Sequence, residues 1–197
     1  MTDRPIDETG LDTLFRNART QYDWTGEPLP EVLLHKLYDL VKMGPTAANS
    51  TPARFVFCTS AEGRQKLADC VSSGNHAKVL QAPCTVIVGM DMAFYERLPE
   101  LFPHDDARSW FAGKPAQIHD TAFRNSSLQG GYLILAARAL GLDAGPMSGF
   151  DKAQVDAAFW GGTKVETNFI CSIGTGTGQK VFPRLPRLSF EDACRIA

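Results

Sequence analysis

The sequence lacks the marks of a metal, hydrolytic, membrane-spanning or secreted protein. Its five cysteines, Cys58, Cys70, Cys84, Cys171 and Cys194, are scattered and form no Cys-x-x-Cys pair. An odd count at irregular spacing supports neither a disulfide framework nor a zinc site. Cys58, Cys84 and Cys171 lie in apolar, strand-like runs, where a thiol behaves as a small hydrophobe, and a reducing cytoplasm is the expected location. The four histidines, His35, His76, His104 and His119, show no metal-ligand spacing, so no metal is expected. There is no Gly-x-Ser-x-Gly elbow and no His-Glu-x-x-His helix, which leaves a hydrolase triad or a metal enzyme without support. No apolar stretch approaches the length of a membrane span. Residues 1–10 are polar and acidic, unlike a secretory signal, and are expected to form a flexible tail. A net charge of −2 argues against a general nucleic-acid or anionic-membrane binder.

What is present reads as one domain, residues 1–197, with a sizeable core. The apolar share of 44% and charged share of 21% are ordinary for a globular chain. Helical spacing marks residues 11–19 and 30–43, the latter through Val32, Leu33, Leu37, Leu40 and Val41. Residues 54–59 read as a strand, and Ser60 is a candidate N-cap for a helix reaching about residue 71. The continuous apolar run 84–90 predicts a central strand buried on both faces. Residues 92–116 mix aromatics, Pro, His and charge without a period. They read as short helices, either a capping excursion or a plain surface connection. Residues 117–140 form the longest predicted helix, almost wholly apolar over 128–140, which suits a core or a subunit interface. Gly130-Gly131 within it suggests close approach of another backbone, and Gly141 its C-cap. A helix at 151–159 with an Asp N-cap and a strand at 168–173 follow. Gly174-Thr175-Gly176-Thr177-Gly178 lacks the Lys-Ser/Thr of a phosphate loop and reads as a turn.

Four segments carry candidate chemistry. The loop Pro45-Thr46-Ala47-Ala48-Asn49-Ser50-Thr51-Pro52 places short hydrogen-bonding groups between a helix end and a strand, although a Gly-Pro helix stop explains it as well. Arg16, Arg19 and Thr20 near one terminus, and Arg184 and Arg187 near the other, could converge on a phosphate, or be solvated surface arginines. Asn75 and Lys78, at i and i+3, share a helix face and suit a ligand edge of alternating acceptors, with a cap and surface lysine as the bland alternative. Gly145-Pro146-Met147-Ser148-Gly149-Phe150 would let backbone N–H groups approach a flat ring, or is a tight turn.

Taken together these segments resemble the flavin-dependent nitroreductase family over nearly the whole chain. The carriers are Ala18-Arg19-Thr20 leading to Glu27-Pro28, the 45–52 loop, Asn75 with Lys78, Gly141-Leu142-Asp143 continuing through Pro146 to Phe150, and the pair Arg184 and Arg187. Longer matches resemble one branch, the malonic semialdehyde reductases of oxidation-type uracil degradation. They are Phe94-Tyr95-Glu96-Arg97-Leu98-Pro99, Asp106-Ala107-Arg108-Ser109-Trp110-Phe111, Thr121-Ala122-Phe123-Arg124-Asn125-Ser126-Ser127, Gly145 to Asp151, and Arg184 to Glu191. The chain departs from the family at Ala18 and Tyr22, where many members carry basic residues, and at Ser148, where a Glu is common.

The resemblance implies an α+β, nitroreductase-like fold: a mixed, largely antiparallel sheet flanked by helices, in an intertwined homodimer with flavin at the interface. It implies FMN as cofactor and NADH or NADPH as co-substrate. The implied FMN contacts are Arg19, Thr20, Pro45, Thr46, Ala47, Asn49, Asn75, Lys78, Pro146, Met147, Ser148, Gly149, Arg184 and Arg187. The backbone of Met147, Ser148 and Gly149 would face the reacting edge of the ring, and residues 92–116 would cap the partner's site. The implied reaction is ping-pong reduction of malonic semialdehyde to 3-hydroxypropionate, with Arg108, then Arg124, as candidates for the substrate carboxylate. A broad nitro- or quinone reductase and a non-catalytic flavin-binding module are the alternatives.

Overall fold

The structure, a computed structural model, describes residues 4–197. Asp7 caps α1 (Glu8–Leu11), its side chain accepting from the Gly10 N–H at 2.7 Å. The helix widens into a π-helical turn, Asp12–Arg16. The expected tail is therefore helical from Glu8 on, and residues 1–3 lie outside the described residues. Helix α2 (Glu31–Val41) follows, then β1 (Ala53–Cys58), α3 (Ala61–Ala68), α4 (Ser73–Gln81), β2 (Cys84–Asp91), α5 (Leu98–Leu101), α6 (Pro115–Ala139), β3 (Asp143–Met147), α7 (Lys152–Phe159), β4 (Val165–Gly174) and α8 (Phe190–Ala193).

The sheet runs β1-β2-β4-β3 with every pair antiparallel. A lone parallel bridge joins Thr20 to Ala144 of β3. Strand β2 is central and buried on both faces, as its unbroken apolar run predicts. Its alternate residues divide the core. Val86 and Val88 join Leu37 and Val41 of α2, Leu133 and Ala137 of α6, and Cys171 and Ile173 of β4. Ile87 points to the other layer, with Leu67 of α3, Val79 of α4, Val155 of α7 and Ile170 of β4. The sheet is thus sandwiched between helices, an α+β layering.

Local chemistry sets the element ends. Ser60 and Asp151 are the N-caps, accepting from the Gly63 N–H and the Gln154 N–H, both at 3.0 Å. Gly141, at φ +78°, ends α6: the Gly141 N–H reaches the Arg138 carbonyl and the Leu142 N–H the Ala137 carbonyl. Gly145-Pro146 lies within β3, not in a turn. Proline is tolerated there because β3 is an edge strand. The Gly130-Gly131 expectation is also corrected. A Cβ at Gly130 would lie 2.4 Å from the Phe169 ring, so a side chain of β4, not a backbone, makes the close approach. Residues 92–116 hold short helices around their own core of Phe94, Leu98, Ala107 and Phe111, continuous with Ile118 and Ala122 of α6.

Candidate functional site

Two polar clusters meet through one aromatic residue. The first is a cleft of about 410 Å³ lined by Arg19, Thr20, Tyr22, Arg138, Arg184 and Arg187, with Phe15 and Phe182 among its apolar walls. Among the described residues no carboxylate lines it. Each guanidinium is steered by a backbone carbonyl: Arg19 donates to Phe182, Arg138 to Leu14 at 3.0 Å, Arg184 to Arg16 and Ala18, and Arg187 to Leu185 at 2.8 Å. Four cations share a hollow with no acid lining it among the described residues, and their remaining N–H groups are available to an anion. Burial lowers the Arg138 pKa below the usual arginine value; Asp143 opposes this, and the neighbouring Arg184 adds to it. Arg16 does not join them. Its side chain pairs with Glu8 at 2.6 Å and Asp12 at 2.7 Å, and only its carbonyl reaches the cleft wall.

The second cluster surrounds Asn75 and Lys78 on α4. Asn75 donates from Nδ2 to the Gly149 carbonyl at 3.0 Å and accepts at Oδ1 from Lys78 Nζ at 3.0 Å. The Gly149 carbonyl also accepts from the Ser72 N–H at 3.0 Å. One amide therefore ties the lysine to the segment after β3, and Lys78 keeps further ammonium donors for another partner. A Cβ at Gly149 would lie 2.8 Å from both Asn75 Nδ2 and Ser72 Oγ, so only glycine fits here without displacement. Tyr22 bridges the clusters. Lys78 Nζ sits 4.9 Å from its ring centroid, and Phe182 packs edge-on to it at 5.5 Å. A tyrosine at this departure from the family pattern thus packs between lysine and cleft wall.

The 45–52 loop is held elsewhere. The Ala47 N–H donates to Asn125 Oδ1 at 2.9 Å, the Thr51 N–H to Thr46 Oγ1 at 3.1 Å, and Asn49 Nδ2 to the Leu101 carbonyl at 2.9 Å. Ala48, Asn49 and Thr51 take φ of +51°, +49° and +37°. For alanine and threonine this conformation costs about 1–2 kcal/mol each. The loop's hydrogen bonds run to α5, α6, β1, β2 and itself, the Thr51 and Pro52 carbonyls accepting from Arg54 and from the Asp91 N–H; among the described residues none reaches Asn75, Lys78 or the arginine cleft. A single chain brings Arg19, Thr20, Arg184 and Arg187 together, and Asn75, Lys78 and Gly149 together. It does not bring Thr46, Ala47 and Asn49 to either group.

Met147 and Ser148 line a shallow hollow with Ser127, Gly131, Ile134, Pro146 and Phe169. Ser127 is shared with a second groove, lined by Asp120, Phe123, Arg124 and Leu128. Arg124 is exposed there and makes no ion pair among the described residues. Arg108 is differently placed. Its Nε and Nη2 grip Glu96 Oε2 and Oε1 at 2.7 and 3.0 Å, and the bonds to Arg108 hold the Glu96 carboxyl below the usual carboxylate range. The interior thiols are not nucleophiles: burial pushes Cys58 up to about 11 and Cys171 up to about 12.

A model of the nitroreductase family matches residues 15–176. The chain belongs to the nitroreductase family. A Stenotrophomonas maltophilia protein with the provisional name NADH dehydrogenase/NAD(P)H nitroreductase is 60% identical over 192 residues, which cover 98% of each chain. A solved structure of a provisionally assigned Bacillus subtilis nitroreductase shares the fold at a TM-score of 0.88 and 21% identity, covering 97% of this chain and 100% of that one. Another from Exiguobacterium sibiricum, solved in complex with FMN, reaches a TM-score of 0.85 at 21% identity and full coverage of both.

Within this nitroreductase fold, sequence reasoning missed three contributors. Arg138 lies in the apolar run 128–140, where a lone arginine among alanines and leucines was the available signal. Asn125 and Gln129, buried on α6, fix the 45–52 loop and the first residue of β1, with Gln129 Oε1 accepting from the Ala53 N–H at 2.9 Å. Both read as ordinary polar residues of a helix.

Proposed function

We propose that the chain is an FMN-dependent NAD(P)H oxidoreductase that reduces malonic semialdehyde to 3-hydroxypropionate by a ping-pong route. The observation that carries the flavin reading is the pairing of an acid-free arginine cleft with the Lys78–Asn75–Gly149 cluster across Tyr22. A phosphate suits the first, and a flat heterocycle with acceptor edges suits the second. The residues fit the group in a further respect: the segment at Gly149 leaves no room for a side chain. The FMN-bound structural neighbour and the 60% identical relative's name, NADH dehydrogenase/NAD(P)H nitroreductase, support the same reading.

Arg19, Arg184 and Arg187 would hold the phosphate, with the Thr20 hydroxyl beside them. Lys78 would donate to the acceptor edge of the ring and place a positive charge where negative charge accumulates on reduction. Asn75 orients it and fixes the Gly149 carbonyl, so that the Met147-Ser148-Gly149 backbone faces the ring. When bound, FMN supplies the hydride acceptor and donor between nicotinamide and aldehyde carbon. Arg124, which makes no ion pair among the described residues although Asp120 lines its groove, would lie one groove away from Met147 and Ser148 and is the proposed cation for the substrate carboxylate; Arg108 is engaged by Glu96.

The functional unit is an intertwined homodimer with the site between protomers. Phe123, Leu128 and Tyr132 on the outer face of α6, and Phe182, Leu185, Leu188, Phe190 and Ile196 on the C-terminal arm, are large apolar side chains left exposed on one chain. A symmetric partner would cover them and bring its own Pro45, Thr46, Ala47 and Asn49 to the ring, with its 92–116 segment as the cap. Replacement of Arg124 by alanine tests the substrate. The expected result is a KM for malonic semialdehyde raised about 10- to 100-fold, the loss of one charge-assisted contact, with the KM for a neutral quinone unchanged. Equal effects on both substrates would reject the assignment and favour the broad nitro- or quinone reductase.

A further inference from the structure

We infer that Arg138 is a phosphate-binding residue of the arginine cleft, taking the place of the basic residues absent at Ala18 and Tyr22. The inference rests on the FMN reading above and concerns this chain's own solution to holding the phosphate. Three observations carry it. Arg138 lies on α6, a helix of 25 residues whose neighbours Ala136 and Ala137 are buried in the main core. Arg19, Arg184 and Arg187 stand on irregular segments instead. A guanidinium on a packed helix gives up less freedom on binding than one on an arm.

The second observation is partial burial without a direct ion pair: Asp143 acts on Arg138 only through space, and among the described residues no carboxylate bonds to it. Arg138 is partly buried and its one hydrogen bond is to the neutral Leu14 carbonyl. A cation partly withdrawn from water with no bonded acid among the described residues is poorly compensated until an anion arrives. The third is company: the same hollow holds Arg19, Thr20, Arg184 and Arg187. Mutual repulsion among four guanidiniums is relieved by a dianion at their centre. The bond to Leu14 leaves the other N–H groups of the planar fork for bidentate contact with phosphate oxygens.

The test compares FMN with riboflavin, which has the same ring and no phosphate, on deflavinated full-length protein, by flavin fluorescence titration. Arg138→Ala is expected to weaken FMN binding about 10- to 100-fold and to leave riboflavin affinity unchanged. Arg138→Lys should recover part of the loss, since it keeps the charge but not the fork. Arg138→Gln serves as a second neutral variant, and far-ultraviolet circular dichroism confirms that each variant is folded. Unchanged FMN affinity in both neutral variants, or equal loss for FMN and riboflavin, would overturn the role of Arg138 while the flavin reading stands. Wild-type protein that binds neither flavin would overturn that reading, and this inference with it.

Discussion

Gly130→Ala isolates the closest packing contact between α6 and the sheet. On helix propensity alone the change should stabilise by about 1 kcal/mol, because glycine in a helix interior carries the larger entropic cost. The structure predicts the opposite sign. The new Cβ would fall 2.4 Å from both Cε1 and Cζ of Phe169, more than 1 Å inside carbon–carbon contact distance. The ring cannot simply withdraw, since Phe169 is paired with Val88 in the β2–β4 ladder and packs against the main core. Overpacking of this kind costs about 1–3 kcal/mol. A contact this close belongs in the upper part of that range, about 2–3 kcal/mol, so the net loss is about 1–2 kcal/mol, or roughly 2–8 °C in Tm for a chain of this size. Thermal and urea unfolding at one fixed protein concentration would read it. Pairing it with Phe169→Leu should shrink the loss and give a coupling of about 1 kcal/mol in a double-mutant cycle. A Gly130→Ala variant as stable as wild type, or more so, would refute the packing argument.

Two further outcomes follow from α6 and from the α7–β4 contact. Gln129→Leu should destabilise by roughly 1–3 kcal/mol, since it leaves the buried Ala53 N–H without an acceptor; hydrogen exchange should speed at Ala53 before the rest of β1. Burial alone would raise the Asp156 carboxyl, but the bonds from Lys152 and from the Thr167 hydroxyl and N–H outweigh it and leave its pKa below the ordinary 3.8. Its stabilising contribution is therefore present above that value and is lost as the pH falls through the lower folded pKa. Asp156→Asn should flatten the acid limb of the stability curve; an unchanged limb would place the dependence on other carboxylates.

Much of the frame was legible in the sequence because it follows local rules. Capping by Ser60 and Asp151, the left-handed stop at Gly141 and the doubly buried β2 each depend on a few adjacent residues. Strand β3 was not legible, because Gly145-Pro146 reads as a turn unless the strand is known to lie at a sheet edge. Arg16 and Arg138 exchanged roles for a similar reason. Arg16 finds Glu8 and Asp12 on its own turn, whereas Arg138 reaches the cleft only through the packing of α6 beneath the N-terminal segment. The positive φ of Ala48 and Thr51 goes with bonds donated by the Ala47 and Thr51 N–H groups to Asn125 Oδ1 and Thr46 Oγ1, the first spanning 78 residues. The grouping of Asn75, Lys78 and Gly149 was expected from the family resemblance, and their hydrogen bonds account for it here.

The most direct measurement is anaerobic absorbance of the purified protein during sequential addition of NADH or NADPH and malonic semialdehyde. The account predicts a yellow protein that bleaches with the nicotinamide and recovers its colour with the aldehyde. Bleaching without recovery would contradict the substrate, and a colourless protein that cannot be loaded with FMN would contradict the central claim.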